Sequence, residues 1–320
     1  MPGKFVPARP RDVVKCINPT LRRRGAGAVT KERLRVAFQG EPGAYSEEAL
    51  LSLLPEAVPH PCRTFREAFR AVDAGGVDAA LVPVENSFAG SINETYDLLR
   101  EYALEVLAQI VHPINHCLLA LPGARLDDVR QVLSHPQALA QCVEFIEERG
   151  LEPVDAYDTA GSARMVRERG RPELAAIASA RAASIYGLEV LVSGIQTGRA
   201  NYTKFFLIAS SERAPLVGSQ LEPHRARGHL TSLIVTTPNV PGSLYRVLGV
   251  FARRGINLSK LESRPSREEP WEYVFFMDVE GHQAEARIQE AFRELERMKA
   301  LVKGLGSFPC YETGDLRGSR

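Results

Sequence analysis

From residue 34 onward the chain alternates short apolar runs with amphipathic stretches, and this alternation restricts the fold more than any single motif. Residues 34–39 read as a strand, 40–43 as a Gly-Pro turn and 45–54 as a helix. Residues 77–82 are the next clear strand and 91–99 the next helix, with Ser91 and Glu94 in the spacing of a capping box that fixes its start. A strand over 129–133 leads through Ser134, His135 and Pro136 into a helix reaching about residue 149. Pro136 suits a first helical turn, where a missing N–H costs nothing. Strands alternating with helices predict a layered α/β structure with mainly parallel pairing.

The pattern changes after residue 210. Residues 211–228 are polar, contain Pro215 and Pro223 and lack periodicity, which predicts a linker. Residues 230–237 are strand-like, and Leu244, Val247, Leu248 and Phe251 follow the i, i+3, i+4, i+7 spacing of a helix with one buried face. Strands over 256–264 and 273–279, a helix over 284–299 and a strand over 302–308 complete a βαββαβ order, that of a ferredoxin-like small domain.

Charge is unevenly spread. Residues 1–35 carry ten Lys or Arg against two acids, so with a formal net charge of +1 the remainder holds about seven net negative charges. That argues against nucleic acid and anionic membrane as partners of the body of the protein. The basic segment 1–33, with Arg22, Arg23 and Arg24 clustered, lacks the apolar core of a signal peptide and reads as a poorly ordered extension or an early start codon, with a nucleic-acid arm or a transit peptide as the alternatives. No run approaches the ~20 apolar residues of a membrane span. The five cysteines are odd in number and include no Cys-x-x-Cys pair, which argues against a disulfide scaffold or structural zinc and for a reducing cytoplasm.

The chemistry gathers in loops. Residues 40–46, 85–93, 134–137 and 157–162 each follow an apolar run and open a helix, and in α/β sheets such loops meet at the carboxyl ends of strands, where ligands bind. Their helix starts offer backbone N–H groups to an anion. Between Ile195 and Ile208, Thr203 and Lys204 place a hydroxyl beside a cation at the mouth of an apolar strand. A substrate that is anionic and must lose a hydroxyl group needs both. With Lys204, and Arg199 nearby, these loops suit a small dicarboxylate held without metal.

Five ordered segments resemble those of the prephenate dehydratase family: residues 36–46, 82–87, 90–93, 134–137 with Gln141 and Cys142, and 201–205, followed by a small domain. That domain resembles the ACT regulatory module, with Pro241, Gly242, Ser243 and Leu244 after its first strand and 258–265 at its second. The resemblance spans about residues 34–310. It implies a two-lobed, periplasmic-binding-protein-like catalytic domain over 34–210, a linker over 211–228, an ACT domain over 229–310 and a tail over 311–320. It implies decarboxylating dehydration of prephenate to phenylpyruvate in L-phenylalanine biosynthesis, with no cofactor and no metal. Thr203, Asn86, Ser134 and Gln141 match the family's catalytic residues, with Glu85, Lys204, Asn201 and Ser87 beside the substrate. Pro241 to Leu244, Asn257, Glu262, Ser263 and Arg264 would bind phenylalanine as a feedback effector, in a homodimer or a dimer of dimers. Arogenate dehydratase is the alternative within the class, and a non-catalytic ligand sensor the alternative outside it. The sequence departs from the family where its Thr-Arg-Phe motif reads Thr203-Lys204-Phe205, which keeps the charge but loses the bidentate fork.

Overall fold

The computed structural model describes residues 33–198, 201–266 and 273–313; the basic segment and Arg199 lie outside them. Two compact units follow: Arg33–His229 with the residues from Phe308 on, and Leu230–Ser307.

The larger unit has two lobes. In the first, β1 (Arg35–Gln39), α1 (Tyr45–Leu53), β2 (Val58–Cys62), α2 (Phe65–Asp73), β3 (Ala79–Asn86), β4 (Gly90–Ser91), α3 (Asn93–Glu101) and β5 (Glu105–Pro113) follow in order. The chain then crosses to β6 (Cys117–Ala120), β7 (Gln131–Ser134), α4 (Pro136–Gln141), α5 (Val143–Glu148), β8 (Glu152–Asp155), α6 (Thr159–Arg169), β9 (Leu174–Ala178), α7 (Ala180–Tyr186) and β10 (Glu189–Ser193). β11 (Tyr202–Ala209) returns to the first lobe, inserting antiparallel between β3 and β5. The sheets run β5-β11-β3-β1-β2 and β10-β6-β9-β7-β8. Each mixes parallel pairs (β1 with β2 and β3; β7 with β8 and β9) with antiparallel ones, so the mainly parallel expectation holds only around β1 and β7.

β3 shows why the sequence folds this way. Its run Ala79 to Val84 is apolar without alternation, and the strand is buried on both faces between β1 and β11. Leu50, Phe38, Leu81, Phe205 and Leu207 fill one face of the first lobe's core. Each such buried side chain contributes about 1.5–3 kcal/mol.

Three local readings change. The helix near residue 91 starts at Asn93, because Ser91 is drawn into β4 opposite Glu85 and Ile92 caps the helix without a side-chain bond. The helix expected to run to 149 breaks at Cys142, whose backbone (φ −115, ψ 17) leaves the helical region. The segment expected as a linker holds α8 (Ala214–Ser219), anchored by the fully buried Val217. β2 and α2 escaped the sequence reading. α2 buries Ala68, Phe69 and Val72 and is capped by Thr64 accepting from the Glu67 N–H.

The smaller unit carries the βαββαβ order as β12 (Gly228–Thr236), α9 (Ser243–Ala252), β13 (Leu258–Pro265), β14 (Tyr273–Glu280), α10 (Ala286–Arg297) and β15 (Leu301–Glu312). Val247, Val250, Phe251, Ile288, Ala291 and Leu295 pack both helices onto one sheet face. β15 outlasts its unit: Cys310, Tyr311 and Glu312 pair parallel with Gln109, Ile110 and Val111 of β5 in the larger unit.

The lobes meet tightly at Gly43. Ser179 Oγ caps α7 by accepting from the Ala182 N–H (3.0 Å) and donates to the Gly43 carbonyl (2.7 Å). A Cβ on Gly43 would lie 2.8 Å from Ala182 Cα, and its φ of +92 already disfavours a side chain. Gly43→Ala is therefore expected to lose about 1–3 kcal/mol through overpacking, seen as a lowered melting temperature by calorimetry. Gly75→Ala (φ +68, with nothing within 4 Å) should lose less.

Candidate active site

Antiparallel register sets Thr203 opposite Asn86 and Lys204 opposite Glu85. Asn86 Nδ2 lies 3.0 Å from Thr203 Oγ1, 2.9 Å from Asn201 Oδ1 and 3.2 Å from the Tyr202 carbonyl, sharing two hydrogens among three acceptors. Its Oδ1 accepts from the N–H groups of Phe88 and Ala89, which fixes the amide's orientation. Thr203 Oγ1 thus receives a hydrogen bond, while its own hydrogen has no acceptor among the described residues.

The network continues into the second lobe. Asn201 Nδ2 donates to Gln141 Oε1 (2.8 Å) on α4, which also meets His116 Nε2 (2.9 Å). Gln141 Oε1 can only accept, so His116 carries its proton on Nε2 and presents Nδ1 to the Tyr45 hydroxyl at 3.0 Å. Burial pushes the His116 pKa down, opposed by the bond to Gln141, and burial raises Tyr45 well above its ordinary range.

Asn86, Gln141, His116, Arg63, Thr203 and Phe205 face a cleft of about 460 Å³. A neighbouring chamber of about 510 Å³ shares Arg63, Tyr157 and Asp158 with it and adds Glu41 and Arg164. Across that chamber's mouth Tyr157 donates to Glu41 Oε1 (3.1 Å), and Arg164 Nη2 donates to the Tyr157 hydroxyl (2.6 Å) and to Glu41 (3.3 Å). Arg181 holds the buried Glu47 at 3.2 Å, a further tie between the lobes.

The structure therefore brings together Thr203, Asn86, Asn201 and Gln141, and sets the other expected residues apart. Ser134 is fully buried and its hydroxyl donates to the Ile177 carbonyl (2.7 Å), so it fixes a strand end rather than facing the cleft. Lys204 points to the opposite strand face from Thr203, since neighbouring side chains alternate, and pairs with Glu85 at 3.3 Å. Neither lines the cleft. Ser87 Oγ accepts from the Tyr202 N–H and holds the start of β11. The helix-start amides expected to receive an anion are engaged within their own loops: Gly43 N–H with Glu47, Gln137 N–H with His135, Gly161 N–H with Asp158.

Sequence reasoning missed Arg63, Tyr45 and His116 as cleft residues. The Thr64-x-x-Glu67 spacing, a helix-start signature, was the available pointer to Arg63 at the preceding strand end. In the smaller unit, Gly242 takes φ +80 at the N-cap of α9, a conformation that needs glycine after Pro241. Ser243 Oγ accepts from Arg246 (3.2 Å), Leu244 packs on the core, and Asn257 donates to Glu280 (2.8 Å). Along β13, Glu262 and Arg264 share one face and Ser263 takes the exposed other.

Because the folded His116 pKa lies below the ordinary 6.5, the unfolded chain binds that proton more readily. Stability is therefore fully present above about pH 6.5 and is lost as the pH falls through 6.5 toward the depressed value. The melting temperature of the wild type is expected to fall more steeply than that of His116→Gln as pH is lowered across this window.

Residues 36–213 match the prephenate dehydratase family and residues 231–297 the ACT domain. Arogenate dehydratase/prephenate dehydratase 1, chloroplastic, of Arabidopsis thaliana is 40% identical over 291 residues, covering 87% of this chain and 72% of that one. Arogenate dehydratase 1 of Petunia hybrida is 41% identical over 294 residues, covering 86% and 67%. Among solved structures, prephenate dehydratase from Arthrobacter aurescens in complex with L-Phe superposes with a TM-score of 0.76 at 32% identity, over 86% of this chain and 89% of that one. GqqA, a quorum quenching acylase, has the same TM-score at 38% identity, over 86% and 97%. The expectation of a cytoplasmic protein is overturned, since Arabidopsis thaliana relatives 40%, 42% and 41% identical to this chain are named as chloroplastic. Cysteine usage reports a reducing compartment and does not tell one such compartment from another. With a two-lobed α/β unit built around the Thr203–Asn86 pair and an ACT domain after it, the chain belongs to the prephenate dehydratase family.

Proposed function

We propose that the cleft converts prephenate to phenylpyruvate, water and carbon dioxide, and that L-phenylalanine regulates the reaction through the ACT domain. The observation that carries this reading is the Thr203 hydroxyl, which accepts from Asn86 and keeps its own hydrogen for the cleft. As the ring C–O bond breaks, the departing hydroxyl takes a proton and leaves as water. The electron pair of the bond to the ring carboxylate moves into the ring, carbon dioxide departs and the ring becomes aromatic. One proton is consumed overall. Threonine is a weak acid at neutral pH, so Thr203 acts mainly by a positioned hydrogen bond to the leaving oxygen. The Asn86 amide stabilises charge that develops on Thr203 Oγ1.

An effector site at Pro241 to Leu244, Asn257, Glu262, Ser263 and Arg264 belongs to the same proposal. So does pairing of chains into a homodimer or a dimer of dimers. The phenylalanine in the Arthrobacter aurescens structure supports the effector.

Arogenate is the second reading. It is supported by the names of the plant relatives and by Glu94 and Asp158, two carboxylates on the cleft wall that suit an ammonium group. The ratio of kcat/KM for the two substrates decides between them. An acylase activity finds no support at Ser134, whose hydroxyl is engaged and buried. A sensor would bind prephenate tightly and release no phenylpyruvate.

Thr203→Ala is expected to lower kcat by about 10²–10⁴-fold, the usual contribution of a positioned proton donor, with an unchanged melting temperature. Wild-type turnover in that variant would remove Thr203 from the mechanism. L-phenylalanine is expected to raise the melting temperature and lower turnover, and an effector without either effect would remove the regulatory reading.

A further inference from the structure

We infer that Arg63 holds the side-chain carboxylate of the substrate; this rests on the dehydratase reading and adds to it the residue that anchors the substrate's far end. In the substrate ring the departing hydroxyl stands para to the carbon that bears both carboxyl-containing substituents. A cation for those groups must therefore stand across the cleft from Thr203, on the same rim. The strand order supplies such a rim. β1, β2 and β3 run parallel and end at Gln39, Cys62 and Asn86, while the antiparallel β11 starts there with Tyr202 and Thr203. Arg63 directly follows β2 and lines both chambers of the cleft. From β11 through β3 and β1 to β2 is three strand spacings, about 14 Å. An arginine arm reaching inward shortens that to the length of a six-membered ring with its three-carbon side chain.

Arg63 is also the arginine of the cleft wall whose guanidinium has no partner among the described residues. Only its backbone N–H is engaged, by Glu67 at 2.8 Å. Arg164, by contrast, is tied to Glu41 and Tyr157. Outside the wall, Lys204 is tied to Glu85 and Arg181 to Glu47.

The chemistry selects which carboxylate a lone cation should take. The ring carboxylate must surrender its charge as carbon dioxide leaves, so a cation fixed on it would stabilise the ground state more than the transition state. The side-chain carboxylate keeps its charge throughout. Gripping it lowers the ground and transition states alike, so its loss raises KM and spares kcat.

Steady-state kinetics of Arg63→Gln and Arg63→Lys test this, with phenylpyruvate as product inhibitor, because phenylpyruvate retains the side-chain carboxylate and has lost the ring one. Arg63→Gln is expected to raise both KM and the phenylpyruvate inhibition constant about 10- to 100-fold, the usual effect of losing a charge-assisted hydrogen bond, with kcat nearly unchanged. Arg63→Lys should fall between. Arg66→Gln, whose parent side chain bonds Glu101, should match the wild type. Unchanged constants in Arg63→Gln overturn the inference, as does a raised KM with an unchanged inhibition constant. If Arg63→Gln does not fold, an Arg63→Lys enzyme with wild-type constants overturns it. A folded wild type that forms product from neither prephenate nor arogenate brings down the dehydratase reading instead, a result separate from any Arg63 effect.

Discussion

One buried amide, that of Asn201, connects the two halves of the site. Its oxygen takes a hydrogen from Asn86 in the first lobe, and its nitrogen gives one to Gln141 in the second. Asn201 is nearly inaccessible to water, so each of these bonds replaces one that solvent can no longer make, and an unpaired buried amide costs about 1–3 kcal/mol. The position of Thr203 follows from this. Asn86 is held by the 88–89 backbone amides on one side and by Asn201 on the other, and the threonine hydroxyl sits where Asn86 sets it. Networks of this kind fix geometry because their buried amides are paired, here leaving only the Thr203 hydroxyl hydrogen for the cleft.

The topology makes that arrangement possible. β11 comes back from the second lobe and enters the first sheet in the opposite direction to β3. Its first residues therefore stand at the edge where the parallel strands finish, and residues more than a hundred positions apart in sequence become neighbours. Gly43 and Ser179, Glu47 and Arg181, and Glu41 with Tyr157 and Arg164 then hold the lobes across the gap. Of these residues only Tyr157 also lines the cleft that holds Thr203, whose wall mixes polar groups such as Asn86 and Gln141 with apolar ones such as Phe65 and Phe205.

Much of this was legible in the sequence. The apolar run before Glu85 and Asn86, the turn at Pro136 and the βαββαβ order after residue 229 each carry a local signal that tertiary packing did not override. Thr203 and Asn86 were legible through motif order. What was not legible depends on register and burial. Strand alternation turns Lys204 away from Thr203. Ser134 is drawn inward by a carbonyl 43 positions further along the chain. α8 lacks periodicity because only one of its turns packs inward, at Val217. Arg63 stayed unnoticed because β2 carries two prolines and little alternation, so no strand announced it.

β15 gives the two units an unusual dependence. The chain leaves the larger unit at His229 and re-enters it at Phe308, whose ring meets Phe206 at 5.3 Å before Cys310 to Glu312 line up along β5. The chain of the regulatory module is thus joined to the larger unit at both of its ends. Cutting the gene before codon 230 would strip a ribbon from the catalytic sheet and bare the outer backbone of β5, an invitation to intermolecular pairing. A desensitised enzyme is better sought by point changes within the module, or by splicing residue 229 to 308 through a short connector, than by a stop codon.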